Sequence, residues 1–120
     1  MAYDLEERLL AYSVKIIKIV EKLPDNKAMN HIASQLLKSG TSPYPNHGEA
    51  QAAESKRDFI HKNSIVLKEL RETQVNLKMM KGIILEADSG KLDQLEDECN
   101  QLVSIFYRLV QTAKRNDVAK

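Results

Sequence analysis

Apolar residues recur three and four positions apart along most of the chain, which is the spacing of one face of an α-helix. The pattern is most regular over residues 92–113, where it follows an a/d heptad seam typical of left-handed helix packing. The seam residues are Leu92, Leu95, Cys99, Leu102, Phe106, Leu109 and Ala113. Strand-type alternation is missing, so the pattern predicts an all-α protein. Four helices with short connections predict an antiparallel up-down-up-down bundle.

The first predicted helix carries more apolar surface than one helix of a bundle needs. Its main stripe, which predicts the core-facing side, is Leu5, Leu9, Tyr12, Ile16, Ile19, Val20 and Leu23. A second stripe of Leu10, Val14 and Ile17 is rotated well away from the first. Either this helix is sandwiched more deeply than usual or the second stripe contacts another subunit, and we favour contact with another subunit.

The second predicted helix covers about residues 26–38 and is followed by a segment rich in helix-breaking residues. Pro43 and Pro45 lack an N–H and clash with the carbonyl four residues back, and Gly40 adds backbone freedom. Local rules therefore predict a loop over residues 40–48, with a sharply kinked helix as the other possibility.

Two polar residues of this segment have predicted structural roles, with a binding role ranked second. Asn46, at a proline-bounded bend, can satisfy backbone groups that the prolines set free. Glu49 can cap the start of the resumed helix, where a negative charge is favoured.

The third predicted helix begins after a capping pair of Ser55 and Asp58 and reaches about residue 81. Its core stripe is Phe59, Val66, Leu70, Thr73 and Leu77. On the opposite face lies a basic stripe of Arg57, His61, Lys68, Arg71 and Lys78, with Lys62 as a further cation beside it. Such a stripe can follow a phosphate backbone. The other interpretation is a solvated face with a weak i, i+4 pair between Lys68 and Glu72.

The composition is that of an ordinary globular protein. The 120 residues, 42% apolar and 29% charged, predict one domain over residues 1–120 with a polar tail that frays after about residue 115. A net charge of +1 means that any binding to nucleic acid must come from local charge. No apolar run is long enough to span a membrane, no signal peptide is visible, and a single cysteine fits a cytoplasmic location.

Residues that could support catalysis or metal binding are few and unfavourably spaced. His31, His47 and His61 have no neighbour at ligand spacing, which predicts surface histidines and no metal site. Cys99 lies on the core seam, where it acts as a small apolar residue. The acidic run over residues 93–98 does not favour a reactive thiolate. We therefore predict no catalytic residue, no metal and no cofactor.

The stretch from Ser34 to Leu77 resembles the four-helix bundle proteins encoded in intervening sequences of bacterial 23S ribosomal RNA genes. It aligns with them without a gap, and the whole chain matches them in length and helix order. The matching positions are Ser34, Gln35, Gly40, Thr41, Ser42, Asn46, Glu49, Ala50, Ser55, Lys56, Arg57, Asp58 and Phe59, then Lys68, Glu69, Arg71, Glu72 and Thr73.

The resemblance implies that the second helix bends at its small-residue run and continues, so that the interruption is a kink. It also implies a homopentamer, which would account for the second apolar stripe on the first helix. A related protein, the accessory protein of diversity-generating retroelements, binds nucleic acid and a reverse transcriptase.

We therefore expect a non-enzymatic, self-assembling bundle that binds RNA or single-stranded DNA through the basic stripe and Lys62. The alternative is a protein–protein adaptor on which the stripe only maintains solubility. A small enzyme is a third possibility, and no residue pattern supports it. Salt-dependent binding of nucleic acid, and its loss on charge reversal of the stripe, would separate the first two hypotheses.

Overall fold

A computed structural model describes residues 2–84 and 89–118, which form five helical segments and, within those ranges, no strand. The segments are α1 (Ala2–Glu21), α2 (Lys27–Thr41), α3 (Pro43–Gln51), α4 (Lys56–Ile83) and α5 (Ser89–Val118). Because α2 and α3 meet at Ser42 and continue as one bent rod, the molecule is a four-helix bundle. It measures about 52 × 21 × 21 Å. The predicted all-α bundle is confirmed.

The kink between α2 and α3 keeps the backbone helical. Ser42 has φ −70° and ψ −33°; its N–H donates to the Lys38 carbonyl at 3.2 Å, and its own carbonyl accepts from the Asn46 N–H at 3.2 Å. Pro43 then occupies the first position of α3, where a missing N–H costs little. The loop predicted by local rules over residues 40–48 is wrong, and the kink implied by the resemblance is correct.

Side-chain contacts show that the bent rod runs along α4 without reversing. The hydroxyl of Ser39 on α2 accepts hydrogen bonds from Thr73 and Asn76 on α4. Asn46, which follows on α3, donates a hydrogen bond to Glu69, which lies earlier on α4. Moving forward along the rod therefore means moving backward along α4, so the two are antiparallel.

Gly40 sets how closely α1 and α2 approach. A Cβ at this position would lie 2.9 Å from Cγ2 of Ile16, which is closer than packed carbon atoms can be. Among the described glycines none has a positive φ, so the predicted backbone freedom of Gly40 is not what the fold uses. Glycine is needed here because α1 and α2 are in direct contact.

The core runs along the bundle and contains most of the predicted apolar stripes, with one change of register on α5 and with Phe59 of the predicted α4 stripe only half-buried. On α5 the seam is confirmed from Leu92 to Phe106, but Val110 is buried next and Leu109 is only half-buried. The fully buried centre is formed by Leu9, Tyr12, Ile16, Leu36, Val66, Leu70, Leu77, Met80, Cys99, Leu102 and Phe106.

Polar side chains tie α5 to its two neighbours. Arg8 on α1 donates from Nη2 to Glu98 at 2.7 Å and from Nε at 3.1 Å, in a two-pronged pair. On α4, Gln74 donates to Asn100 at 2.7 Å. The Nζ of Lys81, also on α4, forms ion pairs with the carboxylates of Asp93 at 2.6 Å and Glu96 at 3.0 Å.

None of the helices described is long and apolar enough to cross a membrane.

Candidate functional site

The basic stripe lies on the outer face of α4. Arg57, His61, Lys68, Arg71 and Lys78 are all exposed, while the opposite side of the same helix is buried from Asn63 to Met80. The stripe extends for about 32 Å, at about 1.5 Å per helical residue. Its cations can therefore contact a ligand without any rearrangement of the core.

Lys62 lies apart from the stripe. It is half-buried and its Nζ is 3.3 Å from the Asp58 carboxylate, one helical turn earlier. Successive residues are rotated by about 100°, so Lys62 cannot share the line occupied by His61. The predicted pair between Lys68 and Glu72 is not among the ion pairs of the described residues, and both side chains are exposed.

Tyr107 on α5 adds an aromatic ring to the stripe. The guanidinium carbon of Arg71 lies 5.9 Å from the centre of this half-exposed ring, within the range of a cation–π contact. Sequence reasoning missed Tyr107 because it follows Phe106 on the seam and lies outside the a/d pattern. Arg71 and Tyr107 together offer the cation and flat ring on which unpaired bases stack.

The same face of α4 also exposes apolar side chains that sequence reasoning did not single out. Val75, Met79 and Ile83 are 59%, 46% and 48% exposed and lie four residues apart, so they form one apolar row beside Lys78. The signal was present as this regular spacing. The row is a second surface on α4 that a protein partner could cover.

The second stripe of α1 is also exposed. Leu10, Val14 and Ile17 are 45%, 40% and 38% exposed, so α1 is not sandwiched on both sides within a single protomer. Between the two explanations offered for this stripe, that leaves contact with another subunit as the one still open.

The polar residues of the kink have other roles than those predicted. The side-chain amide of Asn46 donates to both carboxylate oxygens of Glu69, at 2.9 and 3.0 Å, and so joins α3 to α4 instead of satisfying freed backbone groups. Burial raises the pKa of Glu69, and the hydrogen bond from Asn46 opposes this effect. Glu49 is exposed near the end of α3, so it does not cap the start. Pro43 is buried, whereas Pro45 is exposed.

His47 is almost completely buried, which corrects its predicted surface position. Its Nδ1 lies 3.5 Å from the Asn63 Oδ1, its Nε2 lies 3.0 Å from the Gln51 amide, and its ring meets Phe106 edge-on at 5.3 Å. Burial lowers the pKa of His47, while Asn63 and the charge of Glu6 act in the opposite direction. The fold therefore favours the neutral imidazole.

Cys99 is a core residue, as predicted. Its thiol is buried and donates to the Leu70 carbonyl at 3.3 Å, and burial raises the pKa of Cys99 to about 11. A thiol in this state is a poor nucleophile.

Within residues 2–84 and 89–118, no cluster of three or more His, Cys, Asp or Glu side chains could hold a metal ion.

Comparisons with known proteins agree with this fold. The family described as 23S rRNA-intervening sequence protein matches residues 4–108. A solved structure of a protein with unknown function, from the S23 ribosomal protein family of Bacteroides thetaiotaomicron, is similar at a TM-score of 0.77 and 23% identity. The similarity covers 88% of this chain and 97% of that one, and at this identity it shows the fold alone. No curated protein matches the sequence.

Proposed function

Because the chain belongs to the 23S rRNA-intervening sequence protein family, we propose that it is a non-enzymatic, cytoplasmic bundle that self-assembles and binds RNA or single-stranded DNA. The observation that carries the proposal is the exposed basic stripe with Arg71 held over the ring of Tyr107. Cations that track a strand, together with an aromatic surface for its bases, are the two parts of a single-strand binding surface.

Self-assembly strengthens such a surface. In a cyclic oligomer the stripe is repeated once per subunit, and the fields of the copies add. The exposed residues Leu10, Val14 and Ile17 support contact between copies. The resemblance to the family leads us to propose a pentamer.

The test is binding of a fluorescent single-stranded RNA over a salt series of about 50 to 200 mM. The variant is Lys68→Gln with Arg71→Gln, and the matched control is Lys114→Gln with Arg115→Gln, an exposed lysine and arginine on α5. Loss of two phosphate contacts should lower the slope of log affinity against log salt by about 1.4. The control should keep the slope of the wild-type protein. Equal slopes for the variant and the wild-type protein would refute the proposal.

The alternative function is that of a protein–protein adaptor. It is favoured by the row of Val75, Met79 and Ile83, because an exposed apolar row suits a protein surface better than a phosphate backbone. If the wild-type protein binds no RNA and no single-stranded DNA at low salt, this alternative replaces the first proposal.

A further inference from the structure

A cleft with four lysines lies between α1 and α5, away from the basic stripe. Lys15 and Lys18 line it from α1, Lys22 lines it from the turn just after α1, and Lys91 lines it from the first turn of α5. The cleft has a volume of about 230 Å³. Among the residues that the structure describes, those lining the cleft include no carboxylate.

The acidic residues of the neighbouring part of α5 are engaged elsewhere. Asp93 and Glu96 contact Lys81, Glu98 pairs with Arg8, and Asp97 accepts from Gln101 at 2.9 Å. The four lysines of the cleft take part in none of these pairs. Four like charges around one small cleft repel each other, and an anion placed between them would relieve that repulsion.

The floor of the cleft is apolar. Ile19 and Leu95 form it, and a smaller pocket beside it shares Ile19, Lys22 and Lys91 and is lined further by Leu23, Ile84 and Leu92. Lysines bind phosphate as flexible point charges, and an apolar floor suits the non-ionic part of the same molecule.

We propose that this cleft binds a phosphate-bearing ligand, with its phosphates among Lys15, Lys18, Lys22 and Lys91 and its apolar part over Ile19. Such phosphates can belong to a free nucleotide or to a nucleic-acid strand, since the recognised chemistry is the same. The cleft shares no residue with the basic stripe or with Tyr107, so the proposal does not depend on the function proposed above.

The experiment measures binding of three probes at constant low salt: sodium pyrophosphate, ADP, and an oligothymidylate of about ten nucleotides. The cleft variant is Lys18→Gln with Lys91→Gln. The matched control is Lys27→Gln with Lys114→Gln, two exposed lysines outside the cleft. The third variant is Lys68→Gln with Arg71→Gln on α4. Because every substituted side chain is on the surface, circular dichroism should show that all variants fold.

We expect at least one probe to bind the wild-type protein, and to bind the cleft variant about tenfold or more weakly than the matched control. Weaker binding of pyrophosphate or ADP identifies a small-molecule site, and weaker binding of oligothymidylate alone identifies a strand. Equal affinity of the cleft variant and the control for every probe overturns the proposal, and so does a wild-type protein that binds no probe. If the α4 variant loses oligothymidylate while the cleft variant binds every probe as the matched control does, the proposed function stands and the cleft proposal is wrong.

Discussion

At the scale of single residues, the three histidines differ in how well their surroundings can be predicted. His31 and His61 lie on regular stretches of α2 and α4, and both are exposed as predicted. His47 lies in the sequence PYPNHGEA, where no apolar periodicity marks a buried side. Its burial results from the kink, which directs one side of α3 against α4 and α5. Local sequence predicts the burial of a side chain only where it also predicts the direction of the helix.

The buried imidazole of His47 should make stability depend on pH. In the unfolded chain His47 binds a proton as the pH falls below its ordinary pKa of 6.5, whereas in the folded protein burial lowers that pKa. The unfolded state then holds more protons, so stability should fall as the pH drops from about 7 to about 5, by at most about 1.4 kcal/mol per pH unit. Urea unfolding at several pH values measures this dependence.

The control for this prediction uses two single variants. His47→Gln should weaken the dependence of unfolding free energy on pH, whatever its effect on stability at neutral pH, because the titrating group is gone. His61→Gln, at an exposed position on α4, should leave the dependence as in the wild-type protein. A variant His47→Gln with the wild-type pH dependence would show that another group is responsible.

At the scale of helices, the periodic pattern predicts faces well and changes of register poorly. A strict seven-residue repeat puts Leu109 on the α5 seam, yet Val110 is the buried residue. A straight helix has 3.6 residues per turn, so it drifts by about 20° per heptad from that repeat. After two heptads from Leu95 the drift is large enough to bring the next residue inward.

The kink between α2 and α3 shows a second kind of error. Local rules predict that the helix ends at the prolines, whereas the helix bends there and continues. Local rules place Pro43 inside a loop over residues 40–48, although its fixed φ also suits the first turn of a helix. Which of these a proline does depends on whether the next helix has a surface to pack against. Here α3 packs on α4 through Asn46 and His47, and only the tertiary structure supplies that surface.

The contact between α1 and α2 leads to a prediction for Gly40. Replacing a glycine inside a helix by alanine normally stabilises the folded protein. At position 40, however, the added Cβ would lie 2.9 Å from the Ile16 side chain. We expect Gly40→Ala to lower the free energy of unfolding by about 1–3 kcal/mol because it overpacks this contact. Urea denaturation of the purified variant measures the change.

The chain contains its own control for this effect. Gly48 lies in α3, and a Cβ there would meet no atom within 4 Å, so Gly48→Ala should stabilise by about 0.4–1 kcal/mol. Adding Ile16→Val to Gly40→Ala should recover part of the loss, since the smaller side chain makes room. If Gly40→Ala is as stable as the wild-type protein, α1 and α2 are not held at this separation.

At the scale of the whole molecule, features built from one helix are predictable and features shared by two are not. The basic stripe and the second apolar stripe each lie on a single helix, so spacing along the sequence was enough to find them. The ring of Tyr107 above Arg71 joins α4 to α5, and the lysine cleft joins α1 to α5. Nothing in the local pattern indicates which residues of distant helices become neighbours.

Self-assembly is the property of the whole molecule that the α1 stripe predicts. Leu10→Glu with Val14→Glu introduces two carboxylates on this exposed face, which an interface between copies could bury only at high cost. Both positions are exposed in the protomer, so helix content should stay unchanged. Sedimentation velocity should therefore show a folded monomer of 13.6 kDa in place of the proposed oligomer.

The row of apolar residues on α4 provides the comparison that makes this prediction specific. Val75→Glu with Met79→Glu places the same charges on the exposed apolar row of α4. If contact between copies uses α1 alone, this variant sediments as the wild-type protein does. If it dissociates as well, α1 of one copy packs against α4 of the next, the head-to-tail kind of contact from which rings are built when the rotation between copies closes. Unchanged sedimentation of the α1 variant would exclude the α1 stripe from the interface.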